Sequence, residues 1–165
     1  MSEELPVTAA APKSDVANAY LWLGQILTNF ARAEQAIGQL CLALDLSIRN
    51  GPLCSVNELK ARLDASEDRR CRNLSKRIER WRSLRPVRHI LAHGTVQVLY
   101  DENRLLVFVT RHLPLDKDDA TPDRVWTATE QSELLRISAN DGRSIQDQVR
   151  NLLQDGKALA ALSKS

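Results

Sequence analysis

The chain has 165 residues, of which 43% are hydrophobic, and a formal net charge of +2 at pH 7. This length allows one domain to bury a core without disulfides or structural metal. No stretch approaches the roughly 20 consecutive apolar residues of a membrane-spanning helix, and the acidic N-terminus lacks the apolar run of a secretory signal. We therefore expect a cytoplasmic protein that does not associate with membranes.

The cysteines give no sign of a metal or redox site. Cys41, Cys54 and Cys71 are widely spaced and form no C-x-x-C pair of the kind that binds zinc or exchanges disulfides. We expect reduced, partly buried thiols and no cofactor.

Positive charge is concentrated in the middle of the chain. Between Lys60 and Arg88, 11 basic residues stand against 4 acidic residues, a net charge of +7, whereas residues 1–59 carry −3 and residues 89–165 carry −2. Such a stripe is typical of a surface that binds phosphate groups. It also fits a solvated helix face whose arginines pair with acids elsewhere, and charge alone does not separate the two.

A long first helix is predicted after a short tail. Residues 1–13 have no amphipathic register and are expected to be flexible, and Ser14 or Asp15 can cap the helix that follows. The helix should end near the helix-stopping sequence Asn50-Gly51-Pro52. Its buried stripe recurs at three- and four-residue steps: Val16, Tyr20, Leu23, Leu27, Phe30, Ala33, Ile37, Leu40 and Leu44.

Two further helices are predicted before Gly94, which is a natural helix stop. Ser55 and Glu58 have the capping-box pattern that opens a short helix. A third helix should begin near Glu67. Pro86 should kink or restart it, because proline lacks a backbone N–H and crowds the preceding turn. The third helix should bury Leu74, Ile78, Trp81 and Leu84.

A β-hairpin and a final helix complete the predicted domain, which spans residues 14–165 and is mainly α. Two runs of β-branched and aromatic residues predict the hairpin over about 95–111. An acidic, proline-containing loop is expected over about 113–126. Thr127 and Glu130 have the capping-box pattern and open the last helix from about 128, in which Gly142 is a candidate break.

The seven residues Arg88-His89-Ile90-Leu91-Ala92-His93-Gly94 narrow this interpretation. They place an arginine, a polar residue, three apolar or small residues and then His-Gly at the end of a helix. This pattern resembles the R-x4-6-H motif of the HEPN superfamily (higher eukaryotes and prokaryotes nucleotide-binding). The resemblance implies a small up-and-down helical bundle that commonly dimerises. Here the β-hairpin would be inserted after the motif helix.

The resemblance also implies an activity, metal-independent cleavage of RNA within the strand. A 2′-hydroxyl attacks the adjacent phosphorus and leaves a 2′,3′-cyclic phosphate. His93 would act as acid or base near neutral pH, and Arg88 would stabilise charge on the phosphoryl oxygens. His89 stands where the family often has asparagine or aspartate, which makes it a weaker candidate. Glu34 is the nearest match to the acidic residue that family members tend to place on the first long helix.

A homodimer is expected for geometric reasons. Positions five apart on a helix lie about 140° apart around its axis, so Arg88 and His93 of one copy need not point the same way. A two-fold dimer would bring two copies of the motif to one cleft. The resemblance further suggests a toxin–antitoxin or phage-defence component, whose protein partner would be an antitoxin or another regulatory protein. The RNA backbone would be bound by Lys76, Arg77, Arg80 and Arg85.

Other functions use the same residues. A non-catalytic HEPN-like module would bind a nucleotide, RNA or a protein through the same cleft. An interaction bundle without a ligand would instead neutralise the basic stripe by internal ion pairs. Trp22 and Trp81 fall on apolar helix faces, and we expect them in the core rather than stacked on bases.

A metal site at the motif requires more ligands than the motif supplies. His89 and His93 are four apart, which is metal-ligand spacing. Ile90 replaces the glutamate that H-E-x-x-H zinc proteases require, which excludes that reaction. A third ligand such as His112, or an acid from another segment, would have to complete the site.

Overall fold

The computed structural model describes residues 12–47, 55–111 and 123–163. Six helices hold about three quarters of these residues, and three strands form one small antiparallel sheet, which confirms the mainly α prediction. Nowhere in the described ranges is a helix both long and apolar enough to cross a membrane. The elements in chain order are α1 Lys13–Ala43, α2 Val56–Ala65, α3 Arg69–Ser83, α4 Arg85–His93, β1 Thr95–Tyr100, β2 Leu106–Arg111, β3 Arg124–Trp126, α5 Ala128–Gln154 and α6 Gly156–Ser163.

Helices α1 and α5 form the centre of the core. The Trp22 indole donates to the Gln131 carbonyl (3.0 Å), and the Asn29 amide donates to the Ser138 hydroxyl (3.3 Å). Because these contacts advance in the same direction along both helices, α1 and α5 run parallel. A Cβ on Gly142 would lie 2.7 Å from the backbone oxygen of Asn29. Gly142 therefore allows a close approach of two helices, and the prediction of a helix break there is wrong.

The start of α1 differs from the prediction. Lys13 is already helical, although the sequence predicts it in the tail, and residues 1–11 lie outside the described residues. Neither Ser14 nor Asp15 caps the helix, because Pro12 occupies the capping position and forms no side-chain bond there. Asp15 instead accepts a hydrogen bond from the Tyr100 hydroxyl, which ties the first turn of α1 to β1.

The end of α1 and the start of α2 also differ in detail. α1 ends at Ala43, well before the predicted stop at Asn50-Gly51-Pro52, which lies outside the described residues. Asp45 has a φ of 55°, a left-handed conformation that aspartate tolerates and that turns the chain out of the helix. The second helix is confirmed at 56–65. Ser55 precedes it without a capping hydrogen bond from its side chain.

The predicted restart at Pro86 is confirmed. α3 ends at Ser83, Leu84 has no place in either helix, and α4 begins at Arg85 with the proline in its first turn, where a missing N–H costs nothing. Gly94 ends α4 as predicted. Its φ of −88° is ordinary, so space rather than backbone freedom requires glycine.

The hairpin is confirmed, and a third strand joins it. β1 and β2 pair antiparallel from Thr95 opposite Arg111 to Tyr100 opposite Leu106. β3 pairs with β2, so the prediction of a loop over 113–126 is wrong for 124–126, while 113–122 lies outside the described residues.

The C-terminal helix begins as predicted and ends earlier. Thr127 and Glu130 form the capping box of α5. Asp155 follows α5 and accepts a hydrogen bond from the backbone N–H of Ala158 (3.1 Å), which starts α6 as a separate helix. The break that was predicted at Gly142 therefore falls at Asp155.

Candidate active site and basic groove

Helix α4 presents the motif with its apolar side inward. Leu91 is buried, Val87 and Ile90 are partly buried, and α4 packs against α1 and β2. The polar motif residues lie on the remaining surface: Arg88 is partly exposed, and His93 is exposed in the last turn. The amphipathic pattern of the seven residues thus fixes which side of α4 reaches solvent.

Arg88 contacts Glu34 of α1. Its Nη2 donates a hydrogen bond to Glu34 Oε2 (3.2 Å), and its Nε lies 3.1 Å from Oε1. The Glu34 side chain is 18% exposed and the Arg88 side chain 35%. Oε1 is buried and receives no hydrogen bond of good geometry, so the Nε contact is an ion pair only. Two residues that lie far apart in the sequence, both candidate site residues, are thereby brought together.

His89 and His93 form an exposed pair. Their ring centroids are 4.7 Å apart with an interplanar angle of 49°, as expected for positions four apart on one helix face. Within the described residues no side-chain hydrogen bond or ion pair holds His93, either to Arg88 or to another residue. His93 is therefore free to meet a ligand, whereas the Arg88 guanidinium faces α1.

Neither the histidines nor the cysteines form a metal site in the described part of the chain. No group of three or more His, Cys, Asp or Glu side chains there is arranged to hold a metal ion, and His112 lies outside the described residues. Cys41 and Cys71 are free and buried, and Cys54 also lies outside. Burial raises the pKa of Cys41 to about 11, which makes it a poor nucleophile at neutral pH.

The predicted RNA-binding residues divide between a groove and the open surface. Lys76, Arg77 and Arg80 line a concavity of about 650 Å³ together with Lys60 of α2 and Gln148 of α5. A second concavity of about 490 Å³ shares Arg77 and Arg80 with the first. We call the two together the basic groove, whose cations are Lys60, Lys76, Arg77, Arg80 and Arg136.

The basic groove differs from the predicted set of RNA-binding residues in three positions. Arg85 is exposed on the first turn of α4 and lines neither concavity. Lys60 and Arg136 belong to other helices, and only Lys60 carried a signal, as the first residue of the basic segment. Neither residue was predicted to bind RNA.

Internal ion pairs neutralise part of the basic groove. Asp141 of α5, whose side chain is 10% exposed, lies 3.6 Å from Arg77 and 3.2 Å from Arg80. Lys60 pairs with Asp64 at 2.6 Å, and this hydrogen bond lowers the pKa of the Asp64 carboxyl. Arg136 pairs with Glu133 at 2.6 Å. Among the five cations of the groove, Lys76 is therefore the one without an ion pair to a described residue.

The tryptophans belong to the core, as predicted for Trp22 and Trp81. Trp22 packs against Phe108 and Trp126, with ring centroids 5.4 and 5.7 Å apart, and Trp81 packs against Phe30. All three indoles are at most 6% exposed, so none can stack on a base without unfolding part of the core.

Among the predicted site residues, Arg88 thus contacts Glu34, and Lys76, Arg77 and Arg80 line one groove. Comparisons of the chain with protein-family models, with curated proteins and with solved structures return no match. Function is therefore inferred from α4, Glu34 and the basic groove.

Proposed function

We propose that the chain is a HEPN-like, metal-independent endoribonuclease that acts in the cytoplasm as a homodimer. The observation that carries the proposal is the contact of Arg88 with Glu34 of the first helix, with His93 exposed at the end of the same motif helix. The resemblance to HEPN proteins implies an acid on the first long helix, and its contact with the motif arginine supports a role for Glu34 in the same site. A toxin or phage-defence role, with an antitoxin or another regulatory protein as partner, belongs to the same proposal.

In the proposed reaction the 2′-oxygen forms a bond to the adjacent phosphorus while the bond from phosphorus to the 5′-oxygen breaks. His93 takes the proton of the 2′-hydroxyl or delivers one to the leaving 5′-oxygen, a contribution of about 10²–10⁴ in rate. Arg88 stabilises the charge that develops on the phosphoryl oxygens. Glu34 is a positioning residue, because it contacts Arg88 and orients the guanidinium.

The dimer supplies what one copy lacks. No hydrogen bond joins Arg88 and His93 of one helix, and positions five apart diverge by about 140°. A two-fold pairing of α4 helices would place His93 of one copy near Arg88 of the other. Mixing the inactive Arg88→Ala and His93→Ala proteins should then restore part of the activity, because mixed dimers hold one intact composite site.

The experiment is cleavage of a mixed RNA pool in EDTA, with chemical analysis of product ends, by wild type, His93→Ala and Arg88→Ala. His93→Ala is the cleaner variant, since Arg88→Ala also leaves the Glu34 carboxylate without its partner. Arg69→Ala is the matched control, because Arg69 is exposed on α3 outside both candidate sites. Unfolding and sedimentation measurements verify that each variant folds and dimerises.

We expect cyclic-phosphate ends from wild type and from Arg69→Ala, and at least a roughly 100-fold slower reaction in both motif variants. Full activity in both folded motif variants would discard the site. No cleavage by folded wild-type dimer over a broad set of RNAs would favour the non-catalytic binding module. That alternative has support from the Glu34 ion pair, which already balances the charge of Arg88.

A further inference from the structure

We propose that the basic groove binds a single strand of RNA through its phosphates, without reading the bases. The proposal rests on the proposed function for the identity of the ligand as RNA. The groove residues lie on α2, α3 and α5 rather than on α4, so binding in the groove and cleavage at the motif can be tested separately.

The shape of the groove suits an extended ligand. Its two concavities, of about 650 and 490 Å³, meet at Arg77 and Arg80, which line both. Ligand sites of one small molecule fall in the range of about 300–1,000 Å³, so each half alone could hold one nucleotide. A strand that spans both halves would pass directly over the two shared arginines.

The cations of the groove come from three separate helices. Lys60 extends from α2 and Arg136 from α5, while α3 supplies Lys76, Arg77 and Arg80. Only Glu79 and Asp141 among the groove residues carry negative charge. Because α3 packs against both α2 and α5, cations that lie far apart in the sequence meet in one groove, which concentrates positive potential there.

Asp141 positions the two shared arginines. Its Oδ1 atom lies 3.6 Å from Arg77 Nη1 and 3.2 Å from Arg80 Nη2, and the carboxylate itself is nearly buried. One carboxylate cannot neutralise two guanidiniums, and each guanidinium has five N–H donors. The Arg80 side chain is 63% exposed, so most of its donors remain available to a phosphate.

The groove offers no platform for base stacking as far as the structure describes it. None of the residues that line the two concavities is aromatic, and the tryptophans are buried elsewhere. Proteins that bind single strands through base stacking gain about 1–3 kcal/mol per stacked base. Without such stacking, affinity must come from phosphate contacts, and it should fall steeply with salt and vary little with sequence.

The test measures binding of fluorescein-labelled oligo(U), oligo(A) and oligo(dT), each about 20 nucleotides long, by anisotropy in EDTA. The protein is the full chain carrying His93→Ala, so that no probe is cleaved. Single strands give a slope of about −0.7 in log K against log salt per phosphate contact, so four contacts predict a slope of about −3. The two RNAs and the DNA should bind within about threefold of one another, because phosphates are common to all three.

Removing groove charges should weaken binding in a calculable way. Lys76→Ala with Arg80→Ala should make the slope shallower by about 1.4 and weaken binding about 25-fold at 0.1 M salt. The control is Arg69→Ala with Arg143→Ala, which removes the same charge from two exposed arginines outside the groove. This control lowers the net charge as much as the groove variant does but removes no groove contact. It should therefore change binding by less than about threefold, the part that comes from long-range attraction.

Asp141→Asn separates positioning from charge. The substitution removes one negative charge and so raises the net charge by one, which by itself would tighten RNA binding. If Asp141 holds Arg77 and Arg80 in place, binding weakens instead, and we expect that result with the unfolding midpoint measured in parallel. Tighter binding would overturn the role of Asp141 as a positioning residue.

The outcomes distinguish the groove from the nuclease. Equal losses of RNA affinity in the groove variant and its control would overturn the proposal that the groove binds RNA, even if wild-type protein cleaves RNA. A more than about tenfold preference for one base, or a slope near zero, would overturn binding through phosphates. Groove-dependent binding by a protein that never cleaves RNA would support the groove and reject the proposed activity.

Discussion

Gly142→Ala should destabilise the protein, although the same change in most helices stabilises it. Alanine gains about 1 kcal/mol over glycine in a helix interior. At Gly142 the new Cβ would lie 2.7 Å from the Asn29 backbone oxygen, whereas ordinary contacts begin at 3.4 Å. A backbone atom cannot rotate away, so α1 and α5 must separate locally. Such overpacking costs about 1–3 kcal/mol, and we expect a net loss of about 1 kcal/mol in the free energy of unfolding.

Gly24 provides the matched control. It lies within α1, is exposed, and a Cβ added to it would meet no atom within 4 Å. Gly24→Ala should therefore gain about 0.5–1 kcal/mol. The two variants should differ by about 2 kcal/mol, which for a chain of this size corresponds to about 4–8 °C in Tm.

Urea unfolding followed by tryptophan fluorescence measures the difference, because Trp22 and Trp81 are buried in the core. Both variants must keep the wild-type m-value, so that a change of midpoint reports a change of stability. Equal stabilisation by the two substitutions would refute the reasoning, since it would mean that α1 and α5 do not approach each other closely at Gly142.

Two further predictions concern electrostatics and capping. Arg70 hydrogen-bonds Asp68 and Asp155 and lowers the pKa of both carboxyls below their usual 3.8. This stabilisation is present above pH 4 and is lost as the pH falls through the lowered values, so Arg70→Ala should flatten the decline of Tm between about pH 5 and 2. Parallel Tm curves would contradict this. Thr127→Ala removes the side chain that accepts from the Glu130 N–H and should cost about 1 kcal/mol in urea unfolding, whereas Ser55→Ala, which removes no capping bond, should cost less.

Local sequence signals located most of the elements, and tertiary contacts decided the rest. Pro86 and Thr127 act on their own turns, so their effects could be predicted from neighbouring residues alone. A glycine within a helix has two meanings, a weak point or a site of close approach. Gly142 is a site of close approach, and this follows only from its contact with the backbone of Asn29, which lies far away in the sequence. The strand at 124–126 is too short for an alternating pattern and exists because β2 offers it a partner.

The candidate sites were predicted unevenly for the same reason. The motif places Arg88 and His93 on one helix, but nothing in the spacing connects Arg88 with Glu34, and the resemblance supplied that residue. Charge counting found the basic face of α3. It could not show that Lys60 and Arg136 join this face from other helices, or that Arg85 lies outside the groove.

The backbone at Gly94 packs tightly between the motif helix and the sheet. A Cβ there would lie 2.6 Å from the Ile90 oxygen and 2.8 Å from the Arg111 oxygen of β2, so the last turn of α4 and the end of β2 are in direct backbone contact. Dense packing transmits displacement instead of absorbing it. We therefore expect a displacement of β2 to move the backbone next to His93. A molecule that shifts β2 would change the geometry of the motif without touching it.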